Sequence, residues 1–392
     1  SPRTLSRRKP RKPSKTNSIA SSSLRPPVLA RDRLSSWTTP FAQKFHADLS
    51  TQTSSKTVDS LSRVMLASLE SNTRKNYGAG LLRFNQYCDC FDVAEDLRMP
   101  ASDTLLASFV AEWGGVVSRS TIDTWIAGLS FWHTLNGAPW LGGRMLKATC
   151  SGALKLQPGR KPKRPPVTIE HLTALLNHLD LKDSFDVAVF AVACFAFWGT
   201  RRLGELVIPS LHGFDSSKHV ARNANSKFCA LPDNKEFFSL TLPWSKTTKF
   251  AGAVVTVTEN HEPTSPIRAL RHHLKRNSKV PSHAPFFAFE AANKDGWAPM
   301  TRDWFLERVN EVWLSAGLDQ LTGHCFRIGG ATELLLRGTP PDIVAVQGGW
   351  RSRAFLEYWR KIDSILPLFI SNSFDKSRLQ LTKDSMDDFR KR

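Results

Sequence analysis

Hydrophobic side chains recur at helical spacing through residues 58–155, and this pattern predicts a compact bundle of four or five short helices. Leu61, Met65 and Leu69 form the first apolar stripe, and a further helix is predicted at 142–155. Polar residues suited to cap a helix precede the apolar stripes of the second, third and fourth predicted helices. They are Ser71, Ser102 or Asp103, and Ser120.

From Thr168 onward the pattern changes between helical spacing and short β-branched or aromatic runs. The fold class predicted for the chain is therefore mainly α with a small antiparallel β-sheet, with an all-helical domain followed by an α+β domain. Strands are predicted at 227–231, 237–244, 251–258 and 286–289. Helices are predicted at 169–180, 184–199, 265–276, 301–316, 325–337, 341–347 and 352–361.

Composition shifts set the predicted domain limits. Residues 1–57 are rich in Ser, Pro, Arg and Lys, and they are predicted to be a disordered basic tail. The helical domain then spans 58–156, and the α+β domain spans 169–372. A basic, proline-rich linker at 157–168 joins them, because its prolines forbid a continuous helix. Residues 373–392 are predicted to be a terminal tail or a last helix.

The net charge points to a polyanionic partner. The 392 residues carry a formal charge of +19, with a pI near 10.0. Ten basic residues and one acid up to Arg33 contribute +9 of this charge, so the remaining chain carries 19 − 9 = +10. DNA or RNA is the expected partner, and an anionic membrane surface is the alternative. No apolar run reaches the roughly 18 residues that span a bilayer, and no lipidation motif is present.

The cysteines predict buried thiols in a reducing compartment rather than disulfides or a metal site. None of the six forms a CxxC pair, and no secretory signal precedes them. Cys88 and Cys90 are too closely spaced for the usual zinc pairing. We therefore expect neither a metal nor another cofactor.

Two basic segments are candidate DNA contacts. The linker carries Arg160, Lys161, Lys163 and Arg164. These side chains could lie along a phosphate backbone, or they could belong to an ordinary exposed linker. The segment SRRKPRKPSK at 6–15 fits a nuclear import signal or a non-specific DNA arm, and it also fits a solvated charge run.

Several residues carry possible chemistry, and each one alone has an ordinary structural explanation. Arg202 and Glu205, in the segment RRLGEL, could form a phosphate-binding guanidinium with its orienting carboxylate, or only a surface ion pair worth about 0.3 kcal/mol. Arg201 is adjacent and is not excluded as the binding arginine. His324 precedes a predicted helix whose first turn holds Arg327, and a helix N-terminus favours an anion.

The last two candidates follow in the segment from Trp350 to Tyr358. Most tryptophans belong to a core, but the indole N–H of Trp350 can also donate to a buried oxygen. Tyr358, in FLEYWRK, fits an amphipathic helix. The other two tyrosines, Tyr77 and Tyr87, lie on the apolar stripe of a bundle helix.

Together the residues resemble the tyrosine recombinase, or phage integrase, family. The order Arg202, Lys246, His324, Arg327, Trp350, Tyr358 matches its motif order. The stretch 324–363 is similar to Cre-like members, and Ser245-Lys246-Thr247 resembles their lysine turn. The segment 71–77 resembles the start of the family's core-binding domain, which makes Arg74 and Lys75 candidate DNA contacts. The basic tail, the many tryptophans and the segment LPWSKTT are similar to eukaryotic Crypton-type mobile-element recombinases.

The resemblance implies a metal-free phosphoryl transfer that forms a 3′-phosphotyrosyl link. Tyr358 would be the nucleophile, assisted by His324. Lys246 would be the general acid for the leaving 5′-oxygen. Arg202 and Arg327, with Trp350, would hold the scissile phosphate, and Glu205 would orient Arg202.

The resemblance also implies an assembly. Four protomers would bring two DNA duplexes together, each protomer clamping double-stranded DNA in a C shape, with no small-molecule substrate. A eukaryotic member would act in the nucleus, and a bacterial one in the cytoplasm. Two alternatives remain: a non-catalytic DNA-binding descendant of a recombinase, and a type IB topoisomerase-like enzyme. An RNA-binding module is disfavoured, because no aromatic RNP motif is present.

Overall fold

The computed structural model describes residues 19–156, 164–232 and 235–350. The chain divides into two compact units, a helical unit over Arg3–Pro162 and a mixed unit over Lys163–Arg392. The linker residues 157–163, the predicted helix at 352–361 and the tail at 373–392 lie outside the described residues. The predicted limits of the linker and of the terminal tail therefore stay predictions.

The helical unit is built from amphipathic helices around one apolar core. Phe84, Phe109, Leu129 and Trp132 are at most 1% exposed at its centre. Ser102 caps its helix as predicted, because its hydroxyl accepts from the amide of Leu105. The helices are α1 Arg33–Ser36, α2 Pro40–Gln52, α3 Ser55–Ala67, α4 Ser71–Cys90, α5 Asp103–Glu112, α6 Arg119–Leu135 and α7 Arg144–Leu156.

Two predicted helix caps are wrong by one or two residues. Ser71 is the first residue of α4, and Glu70 precedes it without a side-chain cap. Ser120 lies inside α6, where the N-cap position is Ser118. Both helices begin slightly earlier than the apolar stripes on which the predictions rested.

The prediction of a disordered tail over 1–57 is wrong for residues 19–57, the part that the structure describes. Leu34 and Trp37 are buried in the core of the helical unit, and the indole of Trp37 donates to the carbonyl of Pro26 at 3.0 Å. Arg25 is 6% exposed and forms two hydrogen bonds to the carboxylate of Glu95, at 2.6 and 2.8 Å. The composition misleads because a few large apolar residues, packed against distant helices, are enough to order this segment.

The mixed unit is organised around one helix that is apolar on all sides. Its helices are α8 Ile169–His178, α9 Ser184–Trp198, α10 Leu203–Leu206, α11 Pro266–Arg276, α12 Arg302–Ser315, α13 Gly323–Leu336 and α14 Pro341–Gly348. Every residue of α9 except Phe185 is buried, as expected of a helix without a polar face. At its start, Arg308 of α12 donates to the carboxylate of Asp186 at 2.6 and 2.8 Å. These hydrogen bonds raise the pKa of the Arg308 guanidinium.

A small antiparallel sheet covers one side of this core, which confirms the predicted fold class. Strands β1 Ser226–Ala230, β2 Glu236–Leu242 and β3 Ala253–Thr258 pair in the order β1-β2-β3. Their inward side chains, including Phe238 and Leu240, alternate with more exposed ones. The strand predicted at 286–289 is displaced, because a separate pair forms between β4 Phe289–Glu290 and β5 Trp297–Ala298.

The described part of the chain contains no helix that is both long and apolar enough to cross a membrane. In the same ranges, no three His, Cys, Asp or Glu side chains group as metal ligands would.

Two glycines let helix α13 approach the backbone of neighbouring segments, Gly330 against α9 and Gly329 against the segment that precedes α8. A Cβ atom at Gly330 would collide with the carbonyl oxygen of Phe197, and one at Gly329 with that of Val167. Only glycine permits this approach. The glycine pair therefore fixes the position of α13, the helix that carries His324 and Arg327.

We expect Gly330→Ala to lower the free energy of unfolding by about 1–3 kcal/mol, because the added methyl has to push α13 away from α9. The matched control is Gly152→Ala in α7, where nothing lies within 4 Å of the added Cβ. That substitution should stabilise the protein by up to about 1 kcal/mol, since alanine favours a helix. Chemical denaturation of both variants measures the difference, and equal effects would contradict the proposed close packing.

Candidate active site

The chain leaves α9 through a strained turn that brings two arginines into position. Thr200 is fully buried and has a φ of 49°, in the left-handed region. A β-branched residue adopts this conformation at a cost of about 1–2 kcal/mol. Its carbonyl oxygen accepts a 2.8 Å hydrogen bond from Nη1 of Arg327, so the turn is tied to α13.

Glu205 holds both arginines that follow this turn. Its Oε2 accepts from Nε of Arg201 at 3.0 Å and from the backbone N–H of Arg202 at 3.3 Å. Its Oε1 accepts from Nη1 of Arg202 at 3.0 Å. The Glu205 side chain is only 3% exposed, so its charge is balanced by the arginines rather than by water.

The structure assigns different environments to the two arginines. The Arg201 side chain is 5% exposed, and its guanidinium donates to the carbonyls of Gln347 and Gly348 as well as to Glu205. The Arg202 side chain is 29% exposed and bonds to Glu205 through a single nitrogen. Arg202 is therefore the arginine of this pair that can reach an external anion.

His324 and Arg327 lie in the first turn of α13, which begins at Gly323. The prediction that His324 precedes the helix is therefore wrong, because His324 is the second residue of α13. His324 is half-buried, whereas Arg327 is only 1% exposed. The Arg327 guanidinium lies 3.8 Å from the centroid of the Trp350 ring, a close cation–π contact.

Trp350 follows the end of α14 through a sharp reversal at Gly349, whose φ is 67°. Glycine adopts this left-handed conformation without a steric cost, which suits it to end a helix. The preceding Gln347 donates from Nε2 to the carbonyl of Thr256 in β3 at 2.7 Å. The end of α14 is thereby fastened to the sheet.

Lys246 lies in the turn between β2 and β3, as predicted, and its side chain is exposed. Ser245 and Lys249 close this turn by pairing their backbones. The hydroxyl of the intervening Thr247 donates to the carbonyl of Gly349 at 3.4 Å. The turn carrying Lys246 therefore contacts the segment that carries Trp350.

The structure thus brings together Arg202 with Glu205, Arg327 and Trp350, beside the Lys246 turn. Tyr358 lies outside the described residues, as do Arg160, Lys161 and Lys163. Tyr77 and Tyr87 lie in α4 and pack among aromatic rings of the helical unit. Burial raises the pKa of Tyr87 above that of a free phenol.

The remaining predicted DNA contacts lie at surface positions. Lys75 is exposed near the start of α4. Arg74 is half-buried there, and its Nε donates to the carbonyl of Leu69 at 3.3 Å. Arg164 is exposed just after the linker. Their roles stay predictions.

Sequence reasoning missed the parts played by Arg201 and Thr247. The available signal for Arg201 was its place beside Arg202, four residues before the carboxylate of Glu205. The contact of Thr247 with Gly349 spans about a hundred residues of chain, and no local pattern predicts it.

Comparison with protein-family models and with curated proteins found no match. Among solved structures, the chain is similar to the XerH site-specific recombinase bound to a palindromic difH substrate, in a post-cleavage complex. The TM-score is 0.52 at 14% identity, over 88% of this chain and 93% of that one. The Tn1549 transposon integrase in complex with circular intermediate DNA gives a TM-score of 0.47 at 14% identity, over 83% and 98%.

The fold assignment rests on the XerH comparison, and it covers most of both chains. The Crypton-type subgroup stays a prediction. The chain has the fold of the site-specific tyrosine recombinases, and the resemblance indicated by its motifs is confirmed at that level.

Proposed function

We propose that this chain is a site-specific DNA recombinase that cleaves and rejoins DNA through a 3′-phosphotyrosyl link to Tyr358, and so moves a mobile element. The observation that carries the proposal is the meeting of the Arg202–Glu205 pair, Arg327 and Trp350 beside the Lys246 turn. Separate parts of the chain supply these groups, and the fold assembles them in one place.

Arg202 and Arg327 bind the non-bridging oxygens of the scissile phosphate. A guanidinium suits this task because its planar fork matches two phosphate oxygens. Arg202 is already accessible, with Glu205 fixing its orientation. Both arginines stabilise the charge that accumulates in the pentacoordinate transition state.

Trp350 has to shift when DNA binds. Its ring covers the Arg327 guanidinium in this structure, and Arg327 is 1% exposed. Moving the ring aside opens Arg327 to a phosphate oxygen, and the indole N–H then donates to the same group. Phosphate replaces the tryptophan ring as the partner of Arg327.

The chemical step exchanges one phosphoester for another. The Tyr358 oxygen forms a bond to phosphorus as the bond from phosphorus to the 5′-oxygen breaks. His324 accepts the phenolic proton, which is needed because a free phenol has a pKa near 10. Lys246 donates a proton to the departing 5′-oxygen. Its exposed position on the turn lets its side chain reach that oxygen.

The 5′-hydroxyl of a second strand then attacks the phosphotyrosine and restores the DNA backbone. The phosphotyrosine conserves the energy of the broken bond, so the cycle needs no nucleotide. The partners are double-stranded DNA at the element ends and target, and three further copies of this chain in a synaptic tetramer. In a eukaryotic host the reaction takes place in the nucleus.

The first test is Tyr358→Phe on a nicked suicide duplex built from the DNA flanking the coding sequence. The nick lets the short 5′-hydroxyl fragment diffuse away, so the covalent complex accumulates. Wild type should form an adduct that maps to the peptide containing Tyr358, and Tyr358→Phe should form none, because phenylalanine lacks the attacking oxygen.

The matched controls for this test are Tyr77→Phe and Tyr87→Phe in α4, which should retain adduct formation. An adduct that persists in Tyr358→Phe would make the nucleophile assignment wrong. Wild type that binds the duplex without an adduct would favour the non-catalytic DNA-binding alternative. Plasmid relaxation without two-site recombination would favour the topoisomerase-like alternative.

The second test separates the acid role of Lys246 from a binding role. Lys246→Ala should slow cleavage of normal DNA by about 10²–10⁴-fold, because the 5′-oxygen leaves without a proton. A substrate with sulfur at the 5′-bridging position should restore the rate, since a thiolate needs no proton to leave.

The control for Lys246 is Lys249→Ala on the same turn. The Lys249 ammonium lies over the ring of Trp244, at 5.6 Å, so its removal should leave cleavage unchanged. Equal loss on the oxygen and sulfur substrates in Lys246→Ala would contradict the acid role.

A further inference from the structure

The end of α14 is held by side chains from the elements that carry the candidate phosphate ligands. The last carbonyls of a helix have no partners within it. Here the carbonyls of Gln347 and Gly348 accept from Nη1 and Nη2 of Arg201, at 3.1 and 3.4 Å. The next carbonyl, that of Gly349, accepts from the hydroxyl of Thr247 at 3.4 Å. Three consecutive carbonyls are thus bound from outside the helix.

Arg201 is suited to this position by its charge as well as its shape. A helix C-terminus carries a partial negative charge, which a cation stabilises. The third side of the guanidinium is occupied by Glu205, through the 3.0 Å bond from Nε. All three nitrogens of Arg201 therefore have protein partners, and the side chain is 5% exposed. It is bound too fully within the protein to bind the phosphate itself.

The same contacts link the two halves of the proposed site. Glu205 orients Arg202, and Arg201 ties Glu205 to the end of α14. The chain then continues through Trp350, and Tyr358 follows 358 − 350 = 8 residues later. Arg201 is therefore the direct connection between the phosphate-binding arginine and the start of the nucleophile-bearing segment.

We propose that Arg201 is a positioning residue of the cleavage reaction, which fixes the end of α14 to Glu205 so that the following segment is in register with the phosphate-binding arginines. This inference rests on the proposed function. It assigns no contact between Arg201 and DNA, and it distinguishes Arg201 from the catalytic Arg202 beside it.

The test compares Arg201→Met and Arg201→Lys with wild type in single-turnover adduct formation on the nicked duplex. Methionine keeps the apolar bulk of the side chain but donates no hydrogen bond. Lysine cannot reach Glu205 and two carbonyls together. We expect both variants to bind the duplex with affinity within about two-fold of wild type. Adduct formation should slow by about 10²-fold, the loss typical of a misplaced reacting group.

The control for general destabilisation is Arg308→Met, which removes another arginine that is largely buried in the mixed unit. Arg308 is 16% exposed and bonds to Asp186 at the start of α9, at the opposite end of that helix from Arg201. Arg308→Met should lower the melting temperature yet leave the adduct rate of the folded protein unchanged. The inference is overturned if Arg201→Met forms adduct at the wild-type rate, or if Arg308→Met slows it equally.

Hydrogen exchange gives a readout that does not require activity. The amides of Gly349 and Trp350 are bonded to the carbonyls of Val346 and Ala345, so their exchange reports opening of the end of α14. Arg201→Met should speed exchange in a peptide covering 341–350, and Arg308→Met should not. Unchanged exchange in Arg201→Met overturns the inference. Wild type without any adduct would instead overturn the proposed function, while the exchange result still decides whether Arg201 holds this segment.

Discussion

The arrangement of the mixed unit depends on one buried carboxylate. Glu205 is 3% exposed and receives three hydrogen bonds, from Nε of Arg201 and from the backbone and guanidinium of Arg202. An isolated buried charge is strongly unfavourable, so the carboxylate and the arginines stabilise one another only as a set. Through Arg201 the set extends to the end of α14, and through the adjacent Thr200 carbonyl it extends to Arg327. The functional groups are therefore located relative to a single anion.

The packing of α9 and α13 positions the arginines around Glu205. Helix α9 is buried on every side, and the turn that carries the arginines leaves from its C-terminal end. The backbone contact at Gly330 sets α13 against α9, and the one at Gly329 sets it against Val167, so together they fix the helix that carries Arg327. Candidate catalytic groups thus lie at the ends of elements whose central parts pack tightly. Such an arrangement lets the packed core determine the positions of the groups at the ends of these elements.

Local patterns in the sequence were sufficient for most of the fold. The apolar run of α9 and the alternation of β2 each predicted the observed element to within about two residues. Composition failed for residues 19–57, because burial of Leu34 and Trp37 depends on helices far along the chain. The site shows the same division. The spacing of Arg202 and Glu205 predicted their pairing, but the burial of Arg327 beneath Trp350 depends on tertiary contacts that no spacing encodes.

In the proposed reaction, the charge balance of the site favours the transition state over the bound substrate. Arg201 and Glu205 form a buried pair whose charges cancel, which leaves Arg202 and Arg327 with a combined charge of +2. A phosphodiester carries one negative charge, whereas the pentacoordinate state formed by attack on it carries two. Two arginines therefore match the transition state better than the ground state, and only such differential binding accelerates a reaction. A site that left Arg201 uncompensated would bind ground-state DNA more tightly without this selectivity, so in the proposed reaction the pairing of Arg201 with Glu205 serves the chemistry as well as the fold.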